Sequence, residues 1–322
     1  MKIVYLIITI LLTPVICFSQ EENTEETKER KYCDPQLEGM ARSKGIVLSY
    51  ERVFDSGIKS TSKENDIGNS SSTLEHNNRF DFKLRLPVYN RPHLKVITGI
   101  EYYYEEFKFK NQSDLEYDFY NNLDKKHLKA IGLNVNVLKP LNEVHYIITR
   151  VNVDLNGDYN ADDLPTSDFL NYSVSGLFGW KTCPTKTIGF GLAYSYKFGD
   201  LALYPAFLYF NTFNKHFGLE ALFPAYVKLR YNLNVKTLIY IGYEIEGSSY
   251  RLKIDNPPFS GYPALNLRTS QFKGTIEFER EIHDWLWFGV YYGFREYINF
   301  NLVRGKERSS DALIRNNINM AP

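Results

Sequence analysis

The sequence has no excess of charge of either sign, which argues against one large class of function. Its 322 residues carry 38 Lys and Arg against 38 Asp and Glu, so the formal net charge is zero. A nucleic-acid-binding protein normally carries a basic excess that neutralises phosphates, and we therefore expect no nucleic-acid partner. With 43% hydrophobic and 24% charged residues, the chain is also too apolar for a disordered protein and too charged for a helical membrane protein.

Long apolar runs are missing after the first twenty residues. A membrane-spanning helix needs about 20 apolar residues, and the richest later segment, Trp285–Phe294, is far shorter. At the N-terminus, by contrast, Lys2 precedes the apolar run IVYLIITILL, Pro14 follows that run, and the small residue Ser19 stands before Gln20. This order predicts a cleaved secretory signal peptide at residues 1–19. A lipoprotein signal with Cys17 as the acylated residue is disfavoured, because that signal wants a small residue where Ile16 stands.

Cysteine is scarce, with three residues in the whole chain. Removal of the signal peptide leaves Cys33 and Cys183. An even pair in an exported chain permits a disulfide, which would tether the N-terminal tail beneath the rest of the protein. Two free or buried thiols are the simpler alternative.

Aromatic residues are abundant, with 25 Tyr and 22 Phe, and they favour half-buried β-structure. Apolar and polar residues alternate with a period of two, as in the segment RFDFKLRLPVY from Arg79 to Tyr89. Each such run predicts a strand with one apolar and one polar face. Many runs approach the 9–11 residues that a transmembrane strand needs, whereas ordinary strands average about five or six.

The connectors alternate between short turns and long polar loops, as in bacterial outer-membrane barrels. The short turns lie at Tyr89–Pro92, Lys139–Asn142, Lys181–Lys186, Phe213–Lys215, Asn232–Lys236 and Arg280–Asp284. The long loops lie at Asp55–Glu75, Lys108–Lys126, Asn156–Asp168 and Ile254–Ser270. Keeping this alternation requires a turn at Phe223–Ala225, since Pro224 does not suit a central strand. The fold expected is all-β, a transmembrane antiparallel up-and-down β-barrel of about 14 strands, with 12 as the alternative count and an apparently truncated last strand.

The predicted organisation is a signal peptide at 1–19, a polar periplasmic tail at 20–43 and an outer-membrane barrel at 44–322. The signal peptide ending in FSQ, the period-two strands and the late segments GLEALFPAYVKLRYNL and NNINMAP resemble a family of uncharacterised outer-membrane barrels from Bacteroidota, the domain of unknown function 6268. The resemblance implies the fold and the location. It implies no catalytic residues.

No residue qualifies as catalytic, cofactor-binding or metal-ligating, and no cofactor is expected. The six histidines fall mostly at strand ends or turns, and the chain has neither a Gly-x-Ser-x-Gly nor a His-Glu-x-x-His sequence. The loop Asp154–Asp163 spaces its acidic and amide side chains as a calcium loop does. However, Gly157 and Pro165 stand at the wrong positions for one. An acidic surface loop is the favoured interpretation, with a weak cation site as the alternative.

The polar faces of the predicted strands carry charges of both signs. These are Asp81, Lys83, Arg85, Glu220, Lys228, Arg230, Glu244, Glu246, Glu277 and Glu279. Folding about Pro224 sets Glu220 opposite Lys228, so we expect a cross-strand ion pair there. Paired charges of both signs indicate support of the barrel rather than a charge-selective filter. The aromatic residues Tyr102–Tyr104 and Trp285/Trp287 are expected in the girdles at the membrane interfaces.

The function predicted from the sequence is that of an integral outer-membrane β-barrel that is not an enzyme. It would serve as a pore, a receptor or a structural component, with outer-membrane lipid as its surroundings and no assigned solute or protein partner. A secreted soluble β-sandwich that binds glycans or host surfaces is the first alternative. A lipid-acting barrel enzyme is the second.

Overall fold

The computed structural model describes residues 33–62, 64, 69–110, 119–159, 167–254, 259–262 and 264–322. The predicted signal peptide lies outside the described residues, as does the first part of the predicted tail. Among the described residues, no helix combines the length and apolar character that crossing a membrane requires.

Fourteen antiparallel strands form one closed barrel in which each strand pairs with its sequence neighbours and β1 pairs with β14. The strands are β1 (Ile46–Ser62), β2 (Ser70–Arg91), β3 (Leu94–Lys110), β4 (Leu128–Pro140), β5 (His145–Gly157), β6 (Leu170–Cys183), β7 (Lys186–Phe198), β8 (Asp200–Thr212), β9 (Phe217–Phe223), β10 (Tyr226–Asn234), β11 (Thr237–Leu252), β12 (Leu265–His283), β13 (Leu286–Arg304) and β14 (Ile314–Ile318). The predicted up-and-down barrel and the strand count of 14 are therefore confirmed. The alternatives of 12 strands and of a sandwich are wrong.

The short turns after β2, β4, β6, β8, β10 and β12 lie at one end of the barrel, the turn end. The long connectors lie at the opposite loop end, together with the short connectors after β7 and β9. The turn after β9 falls at Pro224–Ala225, as the alternation of connectors predicts. One loop-end connector is a single residue, Gly199, whose φ of 91° is a conformation that favours glycine. A helix α1 (Phe119–Lys126) lies in the connector between β3 and β4.

The last strand is short, but it closes the barrel. Ile314–Ile318 pairs with Ile58–Ser62 of β1 and with Asn301 and Leu302 of β13. Beyond β14, Ala321 forms a bridge with Arg295. The fourteenth strand is thus present as a five-residue strand that closes the barrel, and its truncation stays a prediction.

The strands differ in height at the loop end. Strands β9 and β10 are short, and β11 pairs with β10 only as far as Glu244. Beyond that point β11 crosses towards the opposite wall, where Arg251 pairs in parallel with Gly157 of β5. Strands β1–β3 and β11–β13 are the tall side, and the lumen narrows where β11 meets β5.

The outer face of the barrel carries an apolar belt. Along β2 the outward residues from Phe80 to Val88 are apolar, and Leu86 and Val88 are 51% and 61% exposed. The belt continues on β13, where Phe288, Val290 and Tyr292 are exposed. Other exposed members are Leu48, Ile131, Leu133, Val153, Val174, Leu192, Leu203, Ile241 and Ile276.

Above the belt, towards the loop end, the outer face of β1–β3 becomes polar. Arg52, Asn78 and Glu106 form one outward row, in which the Asn78 amide lies 3.4 Å from Glu106 Oε2. The belt therefore ends within the tall strands, and their upper parts face water.

The loop end of the lumen is filled by an apolar cluster, which we call the loop-end cap. Its buried members include Ile58, Leu74, Phe107, Phe109, Tyr120, Leu123, Leu128, Leu252, Phe259, Leu265, Leu267, Phe300, Leu302, Leu313 and Ile314. Helix α1 contributes Tyr120 and Leu123, so the long connector folds inward and packs on the strands. Burial of these side chains stabilises the cap as it would a soluble core.

We predict that Leu123→Ala lowers the free energy of unfolding by about 2–4 kcal/mol, because it opens a cavity in the loop-end cap. Urea unfolding of the detergent-solubilised protein measures this. The matched control is Leu141→Ala, since Leu141 lies in the turn between β4 and β5 and is 48% exposed. Equal losses in the two variants would contradict the packing role of α1.

Candidate functional site: the polar lumen

The lumen is lined by charged side chains because, at the level of the apolar belt, the strands alternate between an apolar outer and a polar inner residue. On β2 the inner residues Arg79, Asp81 and Lys83 alternate with outward Phe80 and Phe82. A charge inside the barrel needs a partner, because an uncompensated buried charge costs several kcal/mol. Most of the lumen is organised by that requirement.

A network of ion pairs lies beneath the loop-end cap. Arg79 is 3% exposed; its Nε donates to Glu105 Oε1 at 2.7 Å and its Nη2 donates to Gln271 Oε1 at 2.9 Å. Glu246 accepts from Gln271 Nε2 and from Lys273 Nζ, both at 2.8 Å. These contacts link β2 and β3 to β11 and β12 across the lumen.

Glu51 of β1 extends this network to β13. Its carboxylate pairs with Arg295 and lies 3.0 Å from Lys273 Nζ. Arg295 is 2% exposed and also donates to Asn77 Oδ1 at 2.5 Å. These side-chain contacts therefore connect β1 to β13 inside the barrel, next to the short β14 that lies between them.

Glu220 and Lys228 lie opposite each other as predicted, but they do not form the predicted ion pair. The two residues are paired across β9 and β10. However, Lys228 Nζ lies 2.8 Å from Glu277 Oε1, and Glu220 Oε1 instead accepts from Arg230 Nη1 at 2.6 Å. Both long cations reach past the directly opposite residue, and Arg230 is the one that becomes fully buried.

The other predicted inward charges divide into two groups. Glu244 lies 3.9 Å from Lys228 Nζ, and Glu279 pairs with Lys44. Among the described residues, Asp81, Lys83 and Arg85 form no ion pair within 4 Å.

Residues 33–44, the N-terminal strap, cross the turn end of the lumen. Lys181 Nζ donates to the carbonyl oxygens of Asp34 and Gln36, at 2.9 and 2.8 Å. Thr212 Oγ1 donates to Glu38 O and Asn232 Nδ2 donates to Gly39 O. The strap thus touches β6, β8 and β10 in succession, and the predicted polar tail is partly a cover for the lumen.

Asp34 anchors the strap to β3. Its Oδ2 lies 2.5 Å from Lys95 Nζ. Burial alone would raise the pKa of Asp34, but the hydrogen bond from Lys95 holds that pKa below its ordinary value. The charged form of Asp34 therefore makes the contact with Lys95 that anchors the strap.

The tether between Cys33 and Cys183 is not formed. Cys33 is a free, buried thiol whose Sγ lies 3.2 Å from Val144 O, and burial raises its pKa. Cys183 Sγ lies 3.4 Å from Thr185 Oγ1. The strap is held in place instead by hydrogen bonds and by Leu37, which packs beside Tyr146 and Leu208.

The acidic loop after β5 serves to join connectors as far as it is described. Asp158 is buried and accepts from the Lys253 backbone N–H at 3.1 Å and from Asn122 Nδ2 at 3.1 Å. Burial raises its pKa, although these donors favour the charged form. No group of three or more His, Cys, Asp or Glu that could hold a metal ion occurs within the described ranges. Residues 160–163 of the predicted cation loop Asp154–Asp163 lie outside those ranges, and its residues Asp154–Gly157 belong to β5.

The predicted aromatic girdle is partly wrong. Tyr103 faces the lumen, where its hydroxyl donates to Glu105 Oε2 at 2.5 Å, and Trp287 lies on the inner face under Lys44 of the strap. Tyr104 packs against His127 near the loop end, and Trp285 is 77% exposed in a turn. Side chains alternate between the two faces of a strand, so aromatic residues that are neighbours in sequence face opposite sides of the barrel wall.

A cavity of about 240 Å3 remains in the lumen between the inner faces of β2–β5 and the opposing strands β11 and β12. The residues lining it include Asp81, Lys83, Glu101, Tyr103, Ala130, Gly132, Asp154, Asn156, Ser248 and Gln271. The sequence analysis did not single out Glu101, Glu105, Glu51 or Arg295. Their inward positions in the period-two pattern were the available signal.

The fold and the lumen define a class: a closed 14-strand antiparallel β-barrel with an apolar exterior and a charged interior. The chain belongs to the family described as Domain of unknown function (DUF6268), whose model matches residues 41–300. No curated protein matches the chain in sequence.

We predict that Arg79→Met, which keeps the side-chain volume, lowers the free energy of unfolding by about 3–5 kcal/mol, because Glu105 and Glu246 lose a buried partner. Urea unfolding measures the change. Lys110→Met is the control, since Lys110 pairs with Asp55 at the exposed outer surface and should leave stability almost unchanged. A stability of Arg79→Met equal to that of the control would show that the network does not support the barrel.

Proposed function

We propose that this protein is an integral outer-membrane barrel of a Gram-negative bacterium of the Bacteroidota type, that it is not an enzyme, and that it acts as a receptor or structural component. The observation that carries the proposal is the reversed polarity of the barrel. Apolar side chains cover the outside, and charged side chains such as Arg79 and Arg295 are buried inside. A water-soluble barrel would have the opposite arrangement, since monomeric soluble proteins rarely expose such large apolar patches.

The height of the belt supports contact with lipid. On β2 it extends from Phe80 to Val88, which approaches the roughly 9–11 residues of a transmembrane strand. Closed barrels meet the requirement that every backbone group in a bilayer be hydrogen-bonded. Long connectors at one end and short turns at the other are the arrangement of bacterial outer-membrane barrels.

The filled lumen favours a receptor or structural role over a passive pore. The loop-end cap occupies one end, the ion-pair network lies beneath it, and the N-terminal strap covers the turn end. Open porins, by contrast, enclose a water-filled channel. Solutes would have to displace several buried contacts to pass.

A catalytic role finds no support in the histidines of the turns. The His145 ring lies 3.1 Å from Asn142 Oδ1, and His216 Nδ1 lies 2.9 Å from Asn232 O. Both contacts fix turn geometry. The proposal of a non-enzymatic protein accordingly stays the favoured one.

Membrane integration and orientation predict where inserted tags become accessible. We expect the protein to stay in the outer-membrane fraction after alkaline washing and to need detergent for extraction. A tag between β11 and β12 should be labelled on intact cells, whereas a tag between β4 and β5 should be labelled only after the outer membrane is opened. Release by alkaline washing would contradict the membrane location, and the reverse labelling pattern would contradict the orientation.

The filled lumen makes a separate prediction about conductance. Purified protein in planar lipid bilayers should show no steady open-pore current, because the cap and the strap cover both ends. An open porin reconstituted in the same way is the positive control. A stable current from the wild-type protein would overturn the closed-barrel proposal and restore the passive pore.

A further inference from the structure

The lumen cavity exists because β4 presents small residues to it. The inner residues of β4 at this level are Ala130 and Gly132. Gly132 is paired with Glu101 of β3 on one side and with Asp154 of β5 on the other. A Cβ on Gly132 would lie 1.8 Å from Asp154 Oδ1, so the carboxylate occupies the space that a side chain would need. The carboxylates of Glu101 and Asp154 therefore lie on either side of Gly132 at the cavity.

Among the charged residues that line the cavity but lie outside the ion-pair network, more are negative than positive. Its charged lining consists of Arg79, Asp81, Lys83, Glu101, Asp154 and Glu246. Arg79 and Glu246 are held by the network. Of the remaining four, Lys83 is the sole cation, and its register partner on β3 is Glu101. The Asp154 carboxylate has no hydrogen-bond or ion-pair partner among the described residues, and a half-buried carboxylate favours a cation beside it.

A second group next to Asp154 lacks a donor. Asn156, the next inward residue of β5, is 4% exposed and lines the cavity. Its Nδ2 donates to Ser248 Oγ at 2.8 Å, whereas its Oδ1 accepts no hydrogen bond. Buried polar atoms are nearly always hydrogen-bonded. An unpaired acceptor beside an unpaired carboxylate fits a ligand that supplies N–H donors and positive charge.

The occupant is larger than a metal ion. No three acidic, histidine or cysteine side chains converge on a metal position within the described residues. Tyr103 and Tyr250 also line the cavity, where their rings stack on each other with centroids 6.2 Å apart. These rings give part of the cavity an apolar lining, which suits a short alkyl chain.

We propose that the lumen cavity over Ala130 and Gly132 binds a small organic cation, an alkylammonium compound whose ammonium group contacts the Asp154 carboxylate beside Asn156. The size of the cavity limits the ligand to a few carbon atoms. This inference goes beyond the proposed function. Binding is measured in detergent solution, so it succeeds or fails independently of membrane location and conductance.

Isothermal titration calorimetry with 1,4-diaminobutane tests the proposal on the full chain in a neutral detergent. We expect saturable binding to the wild-type protein and about tenfold weaker binding to Asp154→Asn, which loses a charge-assisted hydrogen bond. Ala130→Leu keeps every charge but fills part of the cavity with its larger side chain, so it should also weaken binding. Asp55→Asn is the matched control, because Asp55 is an exposed carboxylate paired with Lys110 at the outer surface; it should bind as the wild type does.

Melting temperatures show whether a variant that loses binding is still folded. Asp154→Asn removes no contact, so it should melt at or above the wild-type temperature, and lost binding then reports on the site. No binding of 1,4-diaminobutane to the wild type, or equal binding to Asp154→Asn, would overturn the proposal. Equal binding of the uncharged 1,4-butanediol would also overturn it. Binding of calcium chloride that depends on Asp154, without diamine binding, would assign the cavity to a metal ion instead.

Discussion

The buried ion pairs of the lumen are the interaction on which the rest of the barrel depends. Arg79 and Arg295 are almost fully buried, and each would be strongly destabilising without a carboxylate beside it. Glu105 lies within 4 Å of both. Since these residues belong to β2, β3 and β13, the pairs fix the relative positions of strands that are distant in sequence.

The same network explains how a short last strand is tolerated. Strand β14 supplies backbone pairing only beside the upper part of β1. Glu51 of β1 contacts Arg295 of β13 and Lys273 of β12 from inside. Side-chain contacts therefore join the wall near the point where the ladder of β14 ends. Salt screens such buried pairs much less than exposed ones, so we expect these contacts to persist at high ionic strength.

The sequence predicted the architecture well because barrel strands repeat one simple rule. The alternation around Phe80–Val88 and the spacing of turns fixed the strand count, and Pro224 located the break between β9 and β10. Side-chain contacts were predicted less well. Register places Lys228 beside Glu220, but a lysine side chain is long enough to reach Glu277 two strands away.

Contacts that join distant segments could not be predicted from local patterns. The strap has a polar sequence typical of a disordered tail, and its order comes from backbone carbonyls bound by Lys181 and Asn232. Tyr103 and Trp287 each lie in a run of aromatic residues, and the run alone does not show which of its members face inward. The cavity was missed for a related reason, since Ala130 and Gly132 become informative only when Glu101 and Asp154 are known to flank them.

The asymmetry of the wall determines which part of the protein can meet other molecules. Where β9 and β10 end, β11 turns inward, and the Ile245 backbone N–H donates to Ala225 O while Lys197 Nζ donates to Ile245 O. The crossing brings Arg251 against Gly157 and closes the loop end over the cavity. A ligand held beside Asp154 would therefore lie directly beneath the contact between β11 and β5. Asn156, which lines the same cavity, is joined to Ser248 of β11 by one hydrogen bond, so the cavity wall and the inward-turning part of β11 are in direct contact.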